Sequence, residues 1–190
     1  MELPKQSKQS SIKDRIKTSM TNTDLEKHTG IKDADIIKYS DLKNYSKIEE
    51  LLPTDKSSRI ILIEDKYNHG HWVCLLRYGD TIEYFNSYGK KYDMDWGFVN
   101  RMMRVILGQN NNDMTRLMKQ AQSDGYKTIW NKVAYQRLSP DIQTCGRFCV
   151  FRIEMMKIGY TLDEFHTLME KLKVENGGAD PDYIVSKYVA

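Results

Sequence analysis

Cysteine and proline are scarce in this chain, and long apolar runs are missing. Its 190 residues include only 3 cysteines and 4 prolines, and no signal peptide is recognisable among the first of them. Three thiols in that context predict a reducing intracellular compartment, and they are too few for a disulfide scaffold. No stretch approaches the roughly 20 apolar residues of a membrane-spanning helix, so we expect no membrane partner.

Net charge is also low, and it is concentrated at one end of the chain. The formal charge is +3 at pH 7, and an excess of three basic side chains lies within residues 1–20. Because this segment is also rich in Ser and Gln, it is predicted to be a flexible basic N-terminal arm. Two interpretations stay open: a solvated tail, or weak contact with nucleic acid without the aromatic residues typical of single-strand binders.

The rest of the chain has the pattern of a sheet with surrounding helices. Alternation and turn residues predict strands over residues 59–64, 72–78, 81–86 and 126–136. Helices are predicted over residues 40–52, 95–107, 114–122, 145–158 and 161–173, with two more beginning at Thr23 and Asp180. With 40% hydrophobic residues, residues 21–190 can form a single domain. We expect an α+β fold with a mainly antiparallel sheet.

A cysteine stands at the beginning of the most apolar predicted helix. Ser, Pro and Asp at positions 139–141 break the chain before Cys145, and the residues that follow are nearly all apolar. Unpaired N–H groups and the positive end of the dipole at a helix N-terminus stabilise a thiolate and leave donors for an oxyanion. Gly146 would permit close approach of a substrate. The alternative is a buried structural thiol.

His71 begins one predicted strand, and Asn86 ends the next. Strands joined by a hairpin run antiparallel, so the two side chains can be neighbours. An amide oxygen can then hold one imidazole N–H so that the other nitrogen faces a thiol, and Cys, His and Asn form a known catalytic triad. The alternative is a surface histidine and a turn-forming asparagine. Trp72 would line the site or pack in the core.

A metal site is a weaker interpretation of the same region. His69 and His71 lie close in sequence, and Cys145 and Cys149 have helical spacing. No further pair completes four ligands at the spacing of a zinc site. We therefore expect neither a metal nor a cofactor.

Together these residues resemble the adenovirus-type maturation proteases and the related SUMO-specific proteases. The resemblance rests on Gly-His-Trp at 70–72, Tyr-Phe-Asn-Ser-Tyr-Gly at 84–89, Gln136, and Thr-Cys-Gly-Arg-Phe-Cys at 144–149. It covers about residues 59–158, in the chain order histidine, acid or amide, glutamine, cysteine. The Thr-Cys-Gly-Arg and Ser-Tyr-Gly stretches look most similar to proteases of virophages, Polinton elements and large DNA viruses. The resemblance implies a papain-type fold with the cysteine on a buried central helix.

Roles for four residues follow from the resemblance. It implies Cys145 as nucleophile, His71 as general base and acid, Asn86 as the group that orients His71, and Gln136 as oxyanion donor. Many relatives have Asp or Glu at the position of Asn86, so support for an imidazolium is weaker here. The family glutamine also usually lies closer to the cysteine, so Gln143 stays open as an alternative donor.

The function implied is that of a viral maturation cysteine endopeptidase acting through a thioester acyl-enzyme. Its substrates would be capsid or virion precursor proteins cut after small-residue motifs such as Gly-Gly, and the enzyme would work as a monomer in the virion and the host cytoplasm. The basic arm could bind DNA weakly. The Asn-Gly-Gly-Ala sequence at 176–179 suggests self-processing or, alternatively, a flexible turn.

Three other functions fit the same residues. A protease that removes ubiquitin-like proteins would differ only in substrate. An acyltransferase would consume acetyl-CoA. A DNA-binding virion protein on an inactive protease scaffold would show salt-dependent DNA binding and an unreactive Cys145.

Overall fold

A mixed five-stranded sheet forms the centre of the described structure. The computed structural model describes residues 11–32, 35–94 and 97–190. The strands lie in the order β1-β2-β3-β4-β5. Their bounds are β1 Ile36–Lys38, β2 Ser58–Lys66, β3 His69–Tyr78, β4 Thr81–Phe85 and β5 Lys127–Trp130.

The central three strands form the predicted meander, but the outer two pair differently. β2, β3 and β4 are antiparallel neighbours, whereas β1 pairs with β2 and β5 pairs with β4 in parallel. The α+β class is confirmed, and the prediction of a mainly antiparallel sheet is corrected to a mixed one. Long helical crossovers lead from β1 to β2 and from β4 to β5, and such crossovers are what parallel pairing requires.

Helices cover both faces of the sheet. Within the described ranges there are eight α-helices and a 3-10 helix, Tyr39–Asn44. The α-helices are α1 Ile12–Lys17, α2 Asn22–Thr29, α3 Ile48–Leu51, α4 Arg101–Ile106, α5 Asp113–Ser123, α6 Cys145–Lys157, α7 Leu162–Glu175 and α8 Pro181–Tyr188.

Three predicted elements are shorter or split in the structure. The predicted helix 40–52 divides into the 3-10 helix and α3, because Glu50 caps a new start at Ser46 and Lys47. Of the predicted helix 95–107, residues 95 and 96 lie outside the described residues, and α4 begins only after Asn100, whose side chain caps it. The predicted strand 126–136 ends at Trp130. The following Asn131 makes turn hydrogen bonds to Val133 instead.

Alternate residues of the central strands face two separate cores. On one face, Trp72, Cys74 and Leu76 of β3 pack with α6, α7 and α8. On the other, Val73 and Leu75 pack with the 3-10 helix, α3 and α5. Because both faces are covered, β3 is buried through most of its length, and so is α6. The two elements that carry His71 and Cys145 are therefore held at the centre of the protein.

The N-terminal segment differs from the predicted arm in its second half. Residues 1–10 lie outside the described residues. Ser11 caps α1 in a reciprocal capping box with Asp14. Arg15 Nη1 donates to the carbonyl of Ser186 at 3.0 Å, and the carbonyl of Ile16 accepts the N–H of Gln143 at 2.7 Å. Residues 11–20 thus pack beside α8 and the start of α6.

The described helices range from 4 to 14 residues in length. None of them combines the length and the apolar character that crossing a membrane requires.

Candidate active site

Cys145 is the first residue of α6, and only 4% of its surface is exposed. Burial raises the pKa of the thiol. The backbone N–H groups of Trp72, Gly146 and Cys145 itself reach the sulfur and lower its pKa, as expected at a helix N-terminus, but burial outweighs them. The neutral thiol is therefore the favoured form in this structure, whereas the sequence predicts a stabilised thiolate.

His71 and Asn86 lie side by side, as the hairpin geometry predicts. Nε2 of His71 is 2.9 Å from Oδ1 of Asn86. The same oxygen accepts the backbone N–H of Tyr88 at 2.9 Å, which identifies it as an acceptor. Nε2 of His71 must then be the donor, so Nδ1 carries the lone pair of the neutral ring. Asn86 thereby selects the tautomer that a general base requires.

Two aromatic rings enclose the imidazole of His71. Tyr88 stacks on it with ring centroids 4.2 Å apart, and Phe98 meets its edge at 5.3 Å. Burial lowers the pKa of His71 to about 4, although the hydrogen bond to Asn86 raises it. The ring is therefore neutral near pH 7 and able to accept a proton.

A single cavity brings the predicted nucleophile, base and oxyanion donor together. It has a volume of about 360 Å³, and its lining includes His71, Gln136, Gln143 and Cys145. Trp72 follows His71 directly, and the backbone N–H of Trp72 reaches the sulfur of Cys145. The thiol and the imidazole thus line the same cavity, and Asn86 holds the imidazole through Nε2.

Gln136 and Gln143 both line this cavity, but Gln136 is held more firmly. Gln136 is buried, its Oε1 accepts from the Ser87 hydroxyl at 2.8 Å, and its Nε2 donates to the carbonyl of Ile142 at 3.2 Å. Those bonds use one of the two Nε2 hydrogens. Gln143 is half-buried and donates to the carbonyl of Pro140 at 3.0 Å. The arrangement favours Gln136 as a preorganised donor.

Gly146 and Trp72 form a narrow wall beside the thiol. A Cβ at Gly146 would lie 3.0 Å from Cβ of Met20 and 3.3 Å from Cδ1 of Trp72. Trp72 Nε1 donates to the carbonyl of Met20 at 3.1 Å, and Arg147 Nη1 donates to the carbonyl of Thr18 at 2.7 Å. The space directly against Gly146, where the sequence predicts close approach of a substrate, therefore holds Met20 of the N-terminal segment and Trp72. A larger cleft, of about 860 Å³, adjoins this wall and includes Met20 and Trp72.

Gly70 is a second glycine that the site requires. A Cβ there would lie 1.9 Å from the carbonyl oxygen of Ile63 on the neighbouring strand. The register of β2 and β3 shifts between Glu64 and Lys66, at the same level. Only glycine allows the two strands to approach this closely, and the approach sets the position of His71.

Several residues that shape the site were not singled out from the sequence. Tyr88 and Ser87 belong to the quoted 84–89 stretch, so that stretch was the available signal. Phe98 lies within the predicted helix 95–107, and no sequence signal linked it to the site. Asn131 is fully buried and donates from Nδ2 to the carbonyl of Asn86 at 2.7 Å. It follows β5, and only the pairing of β4 with β5 brings it beside Asn86.

Metal ions in proteins are held by converging His, Cys, Asp and Glu side chains. Among residues 11–32, 35–94 and 97–190, no three His, Cys, Asp or Glu side chains converge into a group that could hold an ion.

Two similar proteins are both viral. No protein-family model matches the chain. The ASFV pS273R protease has a related structure, with a TM-score of 0.40 and 20% identity, covering 70% of this chain and 42% of that one. The chain thus spans about two fifths of the length of that protease. An uncharacterized protein, V9 of Sputnik virophage, is 33% identical over 138 residues, covering 72% of this chain and 76% of V9. With that identity over most of both sequences, this chain belongs to the family of the virophage protein V9.

Proposed function

We propose that this protein is a viral maturation cysteine endopeptidase with Cys145 as nucleophile and His71 as general base. The observation that carries the proposal is the hydrogen bonding of Asn86. Because Oδ1 of Asn86 already accepts from Tyr88, it holds Nε2 of His71 as a donor and leaves Nδ1 free to act as the base, and His71 and Cys145 line one cavity.

The proposed reaction begins from a neutral pair. Nδ1 of His71 takes the thiol proton while the sulfur attacks the substrate carbonyl, and the imidazolium then protonates the leaving amine. Water attacks the resulting thioester while His71 takes its proton, the C–S bond breaks, and the imidazolium returns the proton to the Cys145 sulfur as the acid product leaves. Asn86 maintains its hydrogen bond to Nε2 throughout. Its neutral amide orients the ring but supplies no negative charge to the imidazolium.

Two kinds of donor would stabilise the tetrahedral oxyanion. The backbone N–H groups at the start of α6 already point towards the sulfur. The second hydrogen on Nε2 of Gln136 is the other candidate, since the first is used by Ile142. Each such donor is commonly worth about 3 kcal/mol in the transition state.

The substrates proposed are capsid or virion precursor proteins cut after small residues such as Gly-Gly. The preference for small residues is what the resemblance to the adenovirus-type proteases implies. Membership in the family of a virophage protein supports a viral role. We accordingly propose that the enzyme acts as a monomer in the virion and the viral factory of the host cytoplasm.

The test is a cleavage-site profile. The full chain is incubated with a library of proteome-derived peptides, and new termini are read by mass spectrometry. We expect cuts after small residues that vanish in Cys145→Ala and persist in His28→Ala, which removes a histidine from α2. No cleavage, or cleavage that survives Cys145→Ala, would contradict the proposal. Cuts restricted to the tails of folded ubiquitin-like proteins would assign the site to deconjugation instead.

A further inference from the structure

Thr144 stands immediately before the candidate nucleophile at the N-cap position of α6, yet it does not cap the helix. Its backbone has φ −101° and ψ −1°, and no side-chain hydrogen bond closes the helix N-terminus. An N-cap threonine normally has extended backbone angles, and its oxygen accepts an N–H from the first turn.

Two other threonines of this chain show the usual geometry. Thr21 caps α2 with φ −84° and ψ 169°, and its side chain accepts the N–H of Asp24. Thr161 caps α7 with φ −67° and ψ 170°, and its side chain accepts the N–H of Glu164. Among the threonine N-caps of the described helices, Thr144, at the helix that carries Cys145, is therefore the one that does not cap.

A buried carboxylate from the last helix explains the difference. The hydroxyl of Thr144 donates to Oδ1 of Asp182 at 2.6 Å. Asp182 is fully buried, and its Oδ2 accepts the backbone N–H and the Nε–H of Arg137, each at 3.2 Å. A hydroxyl held by a carboxylate in α8 is directed away from the first turn of α6.

The consequence falls on the donors around the thiol. The N–H groups of Cys145 and Gly146 reach the sulfur and lower its pKa. A capping oxygen from Thr144 would lie over the same turn and compete for its N–H groups. It would also place the negative end of an oxygen dipole where a thiolate or oxyanion has to form.

We propose that Asp182 is a positioning residue of the candidate site. It holds the Thr144 hydroxyl away from the N-terminus of α6 and so keeps the first N–H groups of that helix available for negative charge at Cys145. Through Arg137 the same carboxylate also anchors the loop that follows Gln136. The inference rests on the proposed function, in which that charge develops during the reaction.

The test is the pH dependence of iodoacetamide alkylation at Cys145 in a set of Asp182 and Thr144 variants. This readout requires no turnover, so it can succeed or fail independently of peptidase activity. Asp182→Ala should raise the apparent pKa of Cys145 by about 1, which slows alkylation about tenfold below that pKa. Simple loss of a nearby negative charge would shift the pKa in the opposite direction.

Second substitutions identify the cause. In the Asp182→Ala background, Thr144→Val should return the pKa to its original value, because valine has no oxygen to cap the helix. Thr144→Ser should leave it raised, because serine caps as well as threonine. If Asp182→Ala does not fold, Asp182→Ser replaces it, since its shorter side chain can accept from Arg137 without reaching Thr144. A lowered or unchanged pKa, or a rise that Thr144→Val fails to reverse, would overturn the proposal.

Discussion

The middle of α6 and its N-terminus both bury ionisable side chains, but the pKa shift favours the charged form in the middle and the neutral form at the N-terminus. In the middle, Arg152 donates from Nε and Nη2 to the two carboxylate oxygens of Glu83 at 2.8 and 2.7 Å, and both residues are fully buried. Burial lowers the pKa of Arg152, but the hydrogen bonds and charge of Glu83 outweigh burial and raise it. At the N-terminus, burial outweighs the N–H groups around Cys145.

The middle of α6 thus has a structural role, whereas its N-terminus has the proposed chemical role. The paired side chains of Arg152 and Glu83 connect α6 to β4, and Tyr78 donates a further bond to Glu83 at 2.8 Å. Cys145 and His71 are both neutral near pH 7, because burial shifts their pKa values away from the charged forms. Charge separation at the site would therefore occur only during the reaction, with donors already in place.

The largest effect is expected from a substitution at the proposed active site, which should impair catalysis and leave folding intact. His71→Ala should lower kcat/KM by about 10^4-fold, which corresponds to about 5.5 kcal/mol of transition-state stabilisation. Its thermal stability should change far less. Peptide hydrolysis and thermal unfolding are measured together, with His28→Ala as the control. A variant that loses activity only in proportion to its folded fraction would show that His71 is structural.

The next largest effect is expected from breaking the buried ion pair between Arg152 and Glu83 in the middle of α6. Arg152→Leu leaves the Glu83 carboxylate buried without its partner, which should destabilise the protein by about 3–5 kcal/mol. Urea unfolding measures the loss. The double variant Arg152→Leu, Glu83→Leu should recover most of it, since no unpaired charge remains. Equal destabilisation in both variants would mean that packing, rather than the charge, explains the effect.

Low pH should lower the free energy of unfolding, because His71 is buried in its neutral form. His71 has a pKa lowered from 6.5 to about 4 in the folded chain. The unfolded chain therefore binds a proton more readily between these values, and stability present above pH 6.5 is lost as pH falls to 4. The loss should reach about 3 kcal/mol. Urea titrations at both pH values should show it in the parent protein and not in His71→Gln. An identical pH response in His71→Gln would contradict the assignment.

The smallest effect concerns the wall beside the thiol. Gly146→Ala places a methyl group 3.0 Å from Met20, which should cost about 1–2 kcal/mol of stability. Met20→Gly is itself destabilising because Met20 is buried, so the clash is isolated by a double-mutant cycle: Gly146→Ala should cost less in the Met20→Gly protein than in the parent, measured by urea unfolding. An equal cost in both proteins would place the conflict at Trp72 instead.

The sequence was sufficient where structure follows from local pattern. Apolar periodicity predicted α6 with Cys145 at its start, and the hairpin between β3 and β4 predicted that His71 and Asn86 are neighbours. The α+β class followed from the same patterns. Capping signals also located the start of α7, where Thr161 and Glu164 form the predicted capping box.

Contacts between distant segments were not predictable in the same way. β1 has only three residues, too few for an alternating pattern, and its parallel pairing depends on the whole sheet. Met20 reaches Trp72 across 52 positions, and Thr144 reaches Asp182 across 38. Burial of Cys145 depends on such contacts, so the sequence indicated the N–H donors but not the desolvation that outweighs them.

Alkylation of Cys145 shows whether the imidazole of His71 activates the thiol, as the proposed function requires. Iodoacetamide labelling at pH 7 is followed by mass spectrometry at Cys145, Cys74 and Cys149 in the parent chain and in His71→Ala. We expect Cys145 to react fastest in the parent chain and at least about tenfold more slowly without His71. An unchanged rate at Cys145 in His71→Ala would show that the imidazole does not activate the thiol.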